Sequence, residues 1–231
     1  MARTKDPAVR TLLIERAARM LRTREPVTLR SLVAGTGVST MAVYTHFGGM
    51  DGVWKALRQE GFTRLETILE TVAVSTDPVR DLTALGAAYV RNALDHPDLY
   101  RVMFDEDFDL EDARAADDTL EYLVRAAERG RQAGRFRAGI DPRELATQGW
   151  VIGHGLVSLV AAGCLPRRAL DHGTLLLTAL FTTAGDRPDR CRTSVEQGWK
   201  ELTPPGEGPG AGVGRSYSRS SPTTPAAPDR D

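Results

Sequence analysis

Apolar residues recur at steps of three and four along most of the chain, and no strand-like alternation persists, so the pattern predicts an all-α protein. Asp6-Pro7 opens a first helix that turns Val9, Leu13, Ala17, Met20 and Leu21 to one face. Aspartate is a good N-cap, and proline's missing N–H costs nothing at the first helical position. Pro26 closes the exit loop, and two short helices come next. Thr28 caps the first, with Leu29, Leu32 and Val33 inward, until Gly35 and Gly37 break it. Ser39 opens the second, flanked by Val38 and Val43 at the two positions of a hydrophobic staple, and Phe47-Gly48-Gly49 stops it.

From Asp51 a long helix keeps Val53, Trp54, Leu57, Leu65, Ile68, Leu69 and Val72 in period, despite Gly61, which costs ~1 kcal/mol against alanine. Such a helix links the three-helix head to a second domain, either as a lever or as a rigid spacer. Asp77-Pro78 starts another helix through Leu82, Leu85, Tyr89, Val90 and Leu94, ended by His96-Pro97. Leu99, Met103, Phe104 and Phe108 then form an aromatic patch among six acids, Asp105 to Asp112, which reads as a solvated turn. Leu120, Leu123, Val124 and Ala127 mark the next helix, ending at Gly130 or Gly134. Asp141-Pro142 begins a helix to about Gly163, in which Ala146, Gly149 and Gly153 make a flat strip that would let another backbone approach. After Pro166 a last helix carries Leu170, Leu175, Leu177, Leu180 and Phe181. These last two helices hold more apolar surface than one small domain needs to bury. Pairing with a second copy as a four-helix bundle is one solution, and burial within the monomer is the other. The expected divisions are a head over residues 1–50, a helical domain over 51–185, and a linker and tail over 186–231. The stretch Thr203 to Asp231 has six prolines, five glycines and four serines in 29 residues, too little apolar surface to fold, and is expected to be disordered.

Charge sharpens the division. Net charge over 231 residues is −1, yet residues 1–60 hold ten cations against five acids, leaving the remainder at −6. A basic front on an acidic rear suits a nucleic-acid reader joined to another domain. Two cysteines give no disulfide framework and fit a reducing compartment. No secretory leader is expected, and no run approaches the ~20 apolar residues of a membrane helix. The expected location is therefore the cytoplasm. No G-x-S-x-G, H-E-x-x-H, C-x-x-C or Walker pattern occurs, and His46, His96, His154 and His172 share no ligand spacing. No catalysis, metal or cofactor is expected.

Helix, glycine turn, helix is the skeleton of a helix-turn-helix reader, whose second helix aims its first residues at base edges. A plain αα-hairpin has the same spacing. The residue types favour the reader. Ser39 sits at a helix N-terminus, where free N–H groups attract phosphate. Thr40 and Thr45 can hydrogen-bond a base or touch a thymine methyl, and Met41 can make the same apolar contact. Tyr44 and His46 can donate to phosphates. The run T-L-R-S-L-V-A-G-T-G-V-S-T-M-A-V-Y-T-H-F resembles the DNA-binding domain of TetR-family bacterial transcriptional regulators over roughly residues 7–60, most specifically at G-V-S-x-x-x-V-Y-x-H-F. The resemblance implies that Tyr44 and His46 clamp the DNA backbone and that Thr28, Ser39, Thr40, Met41 and Thr45 face the groove. The family's lysine shortly after His-Phe is replaced here by Met50, and Lys55 lies too far along to stand in.

A second stretch, A-G-R-F-x-x-x-I-D-P followed by G-W-V-I-G-H-G-L-V-S-L, is similar to the C-terminal domain of a TetR subgroup with a Trp…His-Gly signature. It implies an all-helical ligand-sensing and dimerisation domain. The expected whole is a homodimeric repressor, joined through its last two helices and released from operator DNA by a small, mostly apolar effector. Pocket candidates are Leu65, Leu69, Tyr89, Met103, Phe104, Tyr122, Trp150 and His154, with His154 packed or hydrogen-bonded rather than a metal ligand. The alternatives are an activator of the same fold, or a helical carrier or enzyme with an inert head.

Overall fold

Three Asp-Pro pairs each start a helix, for the same reason. In the computed structural model, which describes residues 6–200, Asp6, Asp77 and Asp141 accept backbone N–H bonds from Ala8 (2.9 Å), Val79 (3.1 Å) and Arg143 (2.8 Å). The helices so opened are α1 (Pro7–Thr23), α5 (Pro78–Asp95) and α8 (Pro142–Ala161). The others are α2 (Leu29–Val33), α3 (Thr40–Phe47), α4 (Met50–Glu70), α6 (Pro97–Met103), α7 (Ala115–Gln132), α9 (His172–Ala184) and α10 (Pro188–Trp199). A 3-10 turn, Arg167–Asp171, precedes α9. Among the described residues there is no strand.

Two cores organise these helices. Leu13, Ala17, Leu32, Val43, Val53 and Leu57 fill the head, and Leu99 and Val102 of α6 complete it. The larger core takes Phe62, Leu65 and Leu69 of α4 together with α5, α7, α8, α9 and α10. α4 thus begins in one core and ends in the other. Gly61, at the crossing, is not a weak point. A Cβ there would sit 2.2 Å from Met103 Cγ, so its absence lets α6 lie against α4. Met50, in the place of the expected lysine, packs against the head core.

Two expectations are corrected. Residues 186–200 are not a linker: α10 buries Cys191, Val195 and Trp199 in the main core. Its Gly198 admits the α5 backbone, since a Cβ would meet Arg80 O at 2.4 Å. Periodicity does not reveal α10, because only these few apolar residues punctuate a polar stretch. The pair α8 and α9 is accordingly not the last pair of helices. Nor does the strip Ala146, Gly149, Gly153 receive another backbone. Ala146 is buried in the main core and the Gly153 Cβ position lies 3.5 Å from Val90 of α5, so the strip faces inward. The expected tail from Thr203 lies outside the described residues.

A buried ionic node holds the far end together. Arg135, 1% exposed, donates to Asp186 through Nε (2.7 Å) and Nη2 (2.6 Å), and to Asp77 through Nη1 (2.6 Å). Ser194 of α10 donates to Asp77 (2.6 Å). Burial alone would raise the Asp77 carboxyl, but Ser194, the Arg80 N–H and Arg135 together hold it below its ordinary 3.8. The same balance, with Ser75 and Arg129 as partners, lowers Asp81.

Candidate functional site

The head presents α3 to solvent. Gly37 (φ +77°) makes the turn before it and Gly48 (φ +79°) ends it, both in the left-handed region that favours glycine. Val43 anchors α3 from beneath, fully buried. Ser39, Met41, Tyr44 and Thr45 are exposed, and Thr40 and His46 half-buried. Ser39 makes no side-chain cap bond, so its hydroxyl is not consumed by the helix. Thr28 is spent differently: its side chain accepts from the Ser31 N–H (3.2 Å) in a reciprocal capping box. A concave surface beside α3 is lined by Ser39, Met41, Ala42, Thr45 and His46, facing Asp6 and Val9 of α1.

The rear domain holds a cavity of about 180 Å³. α4 supplies Phe62, Leu65 and Leu69. α5 supplies Gly86 and Tyr89, α7 supplies Leu120 and Leu123, and α8 supplies Gly149, Trp150 and Gly153; Phe104 closes one side. The few polar groups at its rim are already engaged. Thr119 donates to Ala116 O (2.8 Å), and Asp117 pairs with Arg143 (2.9 Å). Against this wall lies a triangle of polar atoms. His154 Nδ1 is 2.7 Å from Tyr89 Oη and 2.8 Å from Tyr100 Oη, and Tyr89 donates to Tyr100 (3.1 Å). Ser158 Oγ is 3.1 Å from Tyr100. Burial lowers the His154 pKa below 6.5 and raises both phenols, with Tyr100 adding to the rise at Tyr89. The imidazole is therefore neutral at neutral pH. With the ring proton on Nε2, the Nδ1 lone pair accepts from one phenol at a time and the other proton goes to a neighbouring oxygen; with it on Nδ1, the ring donates to one of them.

Residues 82–183 match the family model for a tetracyclin repressor-like C-terminal domain. The rear domain is therefore similar to that of TetR-type regulators. Solved structures agree in fold. A Rhodococcus sp. RHA1 protein of unknown function is 25% identical, with a TM-score of 0.67 over 77% of this chain and 96% of that one. CprB of S. coelicolor A3(2), a TetR family protein, is 16% identical, with a TM-score of 0.61 over 85% and 99%. RolR, solved with resorcinol, is 16% identical, with a TM-score of 0.60 over 83% and 94%. No curated protein sequence matches the chain significantly.

Five of the eight pocket candidates line the cavity: Leu65, Leu69, Tyr89, Phe104 and Trp150. Three do not. Met103 is buried under Gly61, and Tyr122 reaches outward to Glu70 (3.2 Å). His154 belongs to the hydrogen-bonded triangle and is not among the residues lining the cavity. The missed lining residues are chiefly small or on α7. Leu120 and Leu123 had an inward signal, and Gly149 and Gly153 had the strip, but neither signal distinguishes a cavity from a packed core.

The acidic segment after α6 is an exposed, irregular turn as expected, and it is also tied down as a strap. Lys55 pairs with Asp109 (2.9 Å), Arg10 with Glu111, and Gln59 accepts from the Asp112 N–H (2.9 Å). Arg58 donates to the carbonyls of Met103 (2.9 Å) and Phe108, and Trp54 stacks on Phe108 at 5.5 Å. The strap runs from Phe104 to Ala116, both cavity residues, while its middle grips α1 and α4. Among the described residues no helix is long and apolar enough to cross a membrane, and no cluster of His, Cys, Asp or Glu could hold a metal.

Proposed function

We propose that the protein is a dimeric repressor whose α3 helices occupy operator half-sites and whose rear cavity takes a small, neutral, single-ring aromatic effector that releases the DNA. The observation that carries this reading is the size and chemistry of the cavity within a chain that also exposes α3. A dry apolar cavity of about 150 Å³ accommodates benzene, so about 180 Å³ suits one ring with small substituents. The engaged rim leaves no free charge to meet an ion. Tyr89 has two alternative acceptors for its proton, so the triangle can offer a ligand hydroxyl either a donor or an acceptor. RolR binds resorcinol on the same fold, which supports a phenol as the class.

Dimerisation is read from surface composition. Of the eight exposed large hydrophobics among the described residues, Val151 and Leu159 lie on α8 and Leu175 and Leu176 on α9. Half of the exposed apolar bulk thus sits on the two helices suited to a four-helix interface. Tyr44 and His46 would hold phosphates on either side of α3. The test has two arms. Binding to duplex from the protein's own promoter region should fall steeply with salt, and Tyr44→Ala and His46→Ala should each weaken it and flatten the salt slope. Resorcinol should raise the melting temperature and release the duplex. Wild-type affinity and slope in both variants would reject the clamp. Release by an anionic benzoate but not by resorcinol would reject the effector class.

A further inference from the structure

The outward ridge of α3 is apolar. Opposite buried Val43, at 100° per residue, stand Met41 and Thr45. Met41 is 65% exposed. The Thr45 hydroxyl donates its one proton to Met41 O (2.8 Å), so it cannot donate to a base, and its methyl remains for contact. Ala42 adds another methyl to the same concave surface. The sequence of α3, TMAVYTHF, contains no Arg, Lys, Asn or Gln. Those are the side chains that grip guanine or adenine through two hydrogen bonds. Where such a reader carries forks, this ridge carries carbon.

We propose that α3 recognises thymine C5-methyl groups, with Met41 and Thr45 as the specificity-determining side chains, so that the preferred half-site turns thymines and not guanines toward the ridge. The inference rests on the DNA-binding reading above. Thymine alone among the four bases shows an apolar group in the major groove, and it is the one base edge that this ridge complements.

The test uses the full chain. Duplexes are selected from a random library, and each thymine of the best site is then replaced by deoxyuridine, which removes only the methyl. At one or more thymines per half-site the replacement should weaken binding about fourfold, the size expected for burying one carbon. That penalty should vanish in Met41→Ala or, for a thymine under Thr45, in Thr45→Ser, which deletes the methyl and keeps the hydroxyl. Both positions are exposed, so the variants keep the fold. Selected sites indifferent to every deoxyuridine, or penalties unchanged in both variants, overturn the inference while leaving DNA binding intact. Failure to enrich any duplex overturns it together with the function proposed above.

Discussion

Gly86 and Gly149 each sit inside a helix, where glycine is the costliest ordinary residue, and both face the cavity. A Cβ at Gly86 would meet nothing within 4 Å, and one at Gly149 only Leu177 Cδ2 at 3.9 Å. Packing therefore does not demand either glycine. Alanine in a helix interior is better than glycine by roughly 0.5–1 kcal/mol, so the double variant Gly86→Ala/Gly149→Ala should gain about 1–2 kcal/mol. For a chain of this size roughly 1 kcal/mol moves the melting temperature by about 2–4 °C, and the double variant should melt roughly 2–8 °C higher. The same methyls occupy ligand space, so resorcinol should no longer shift its melting curve, while DNA affinity without ligand should stay as in the parent. The assay is thermal denaturation with and without resorcinol, read beside a DNA titration. A double variant that melts lower would show that the glycines serve packing, and one that still responds fully to resorcinol would move the effector site elsewhere.

Other consequences are as direct. Arg135→Met should cost about 3–5 kcal/mol in denaturant melts, because it strands the carboxylate of Asp186, whose side chain is 2% exposed; a loss under 1 kcal/mol would mean that the node is dispensable. Asp77 and Asp81 titrate below 3.8 in the folded chain. Their stabilisation is therefore present above about pH 3.8 and is lost as pH falls below it toward the folded values, which urea melts at stepped pH should record, with the loss reduced in Asp81→Asn. Leu175→Asp with Leu159→Asp should give a monomer by sedimentation and abolish tight operator binding; a stable dimer would exclude α8 and α9 as the interface.

The legibility of the fold in the sequence depends on which residues act locally. Asp-Pro starts, the glycine turn at Gly37 and the 3.6-residue period around Val43 are local signals, so the head and the α5 and α8 starts can be placed from the chain alone. α10 cannot, because Trp199 and Val195 gain meaning only against α5. Arg135 reads as a surface cation in A-G-R-F, and its burial depends on Asp77 and Asp186 arriving from segments 58 and 51 residues away. The cavity is half legible: aromatic and leucine positions on an inward face are visible, but a void is made by what is missing, and Gly86 carries no pattern that marks it. The acidic segment is legible as a solvated turn, but its ties are not, since its partners Arg10, Lys55 and Arg58 lie far away in the sequence.

Whether the cavity can move the head turns on the crossing of α4 and α6. Met103 rests on the bare backbone of Gly61, with Leu99 and Val102 set into the head core and Phe104, the next residue, in the cavity wall. One seven-residue helix thus packs into the head core and leads directly into the cavity wall, so a ligand that displaced Phe104 would pull on it. An effector must favour the DNA-free arrangement by about 1.4 kcal/mol to weaken binding tenfold, and a symmetric dimer holding two effectors would reach about a hundredfold. Gly61→Ala tests the route without any ligand. Its Cβ would stand 2.2 Å from Met103 Cγ and 2.8 Å from Sδ, so the Met103 side chain must repack or α6 must withdraw. Overpacking costs about 1–3 kcal/mol and helix propensity returns about 1 kcal/mol, leaving a folded but shifted protein. Both operator affinity and resorcinol affinity should then change. Met103→Ala should restore both in the Gly61→Ala background, because it removes the atoms in conflict, and the double-mutant cycle should show coupling above about 0.5 kcal/mol. If Gly61→Ala leaves both affinities as they were, the two sites are not joined through this crossing, and the strap from Phe104 to Ala116 is the remaining connection.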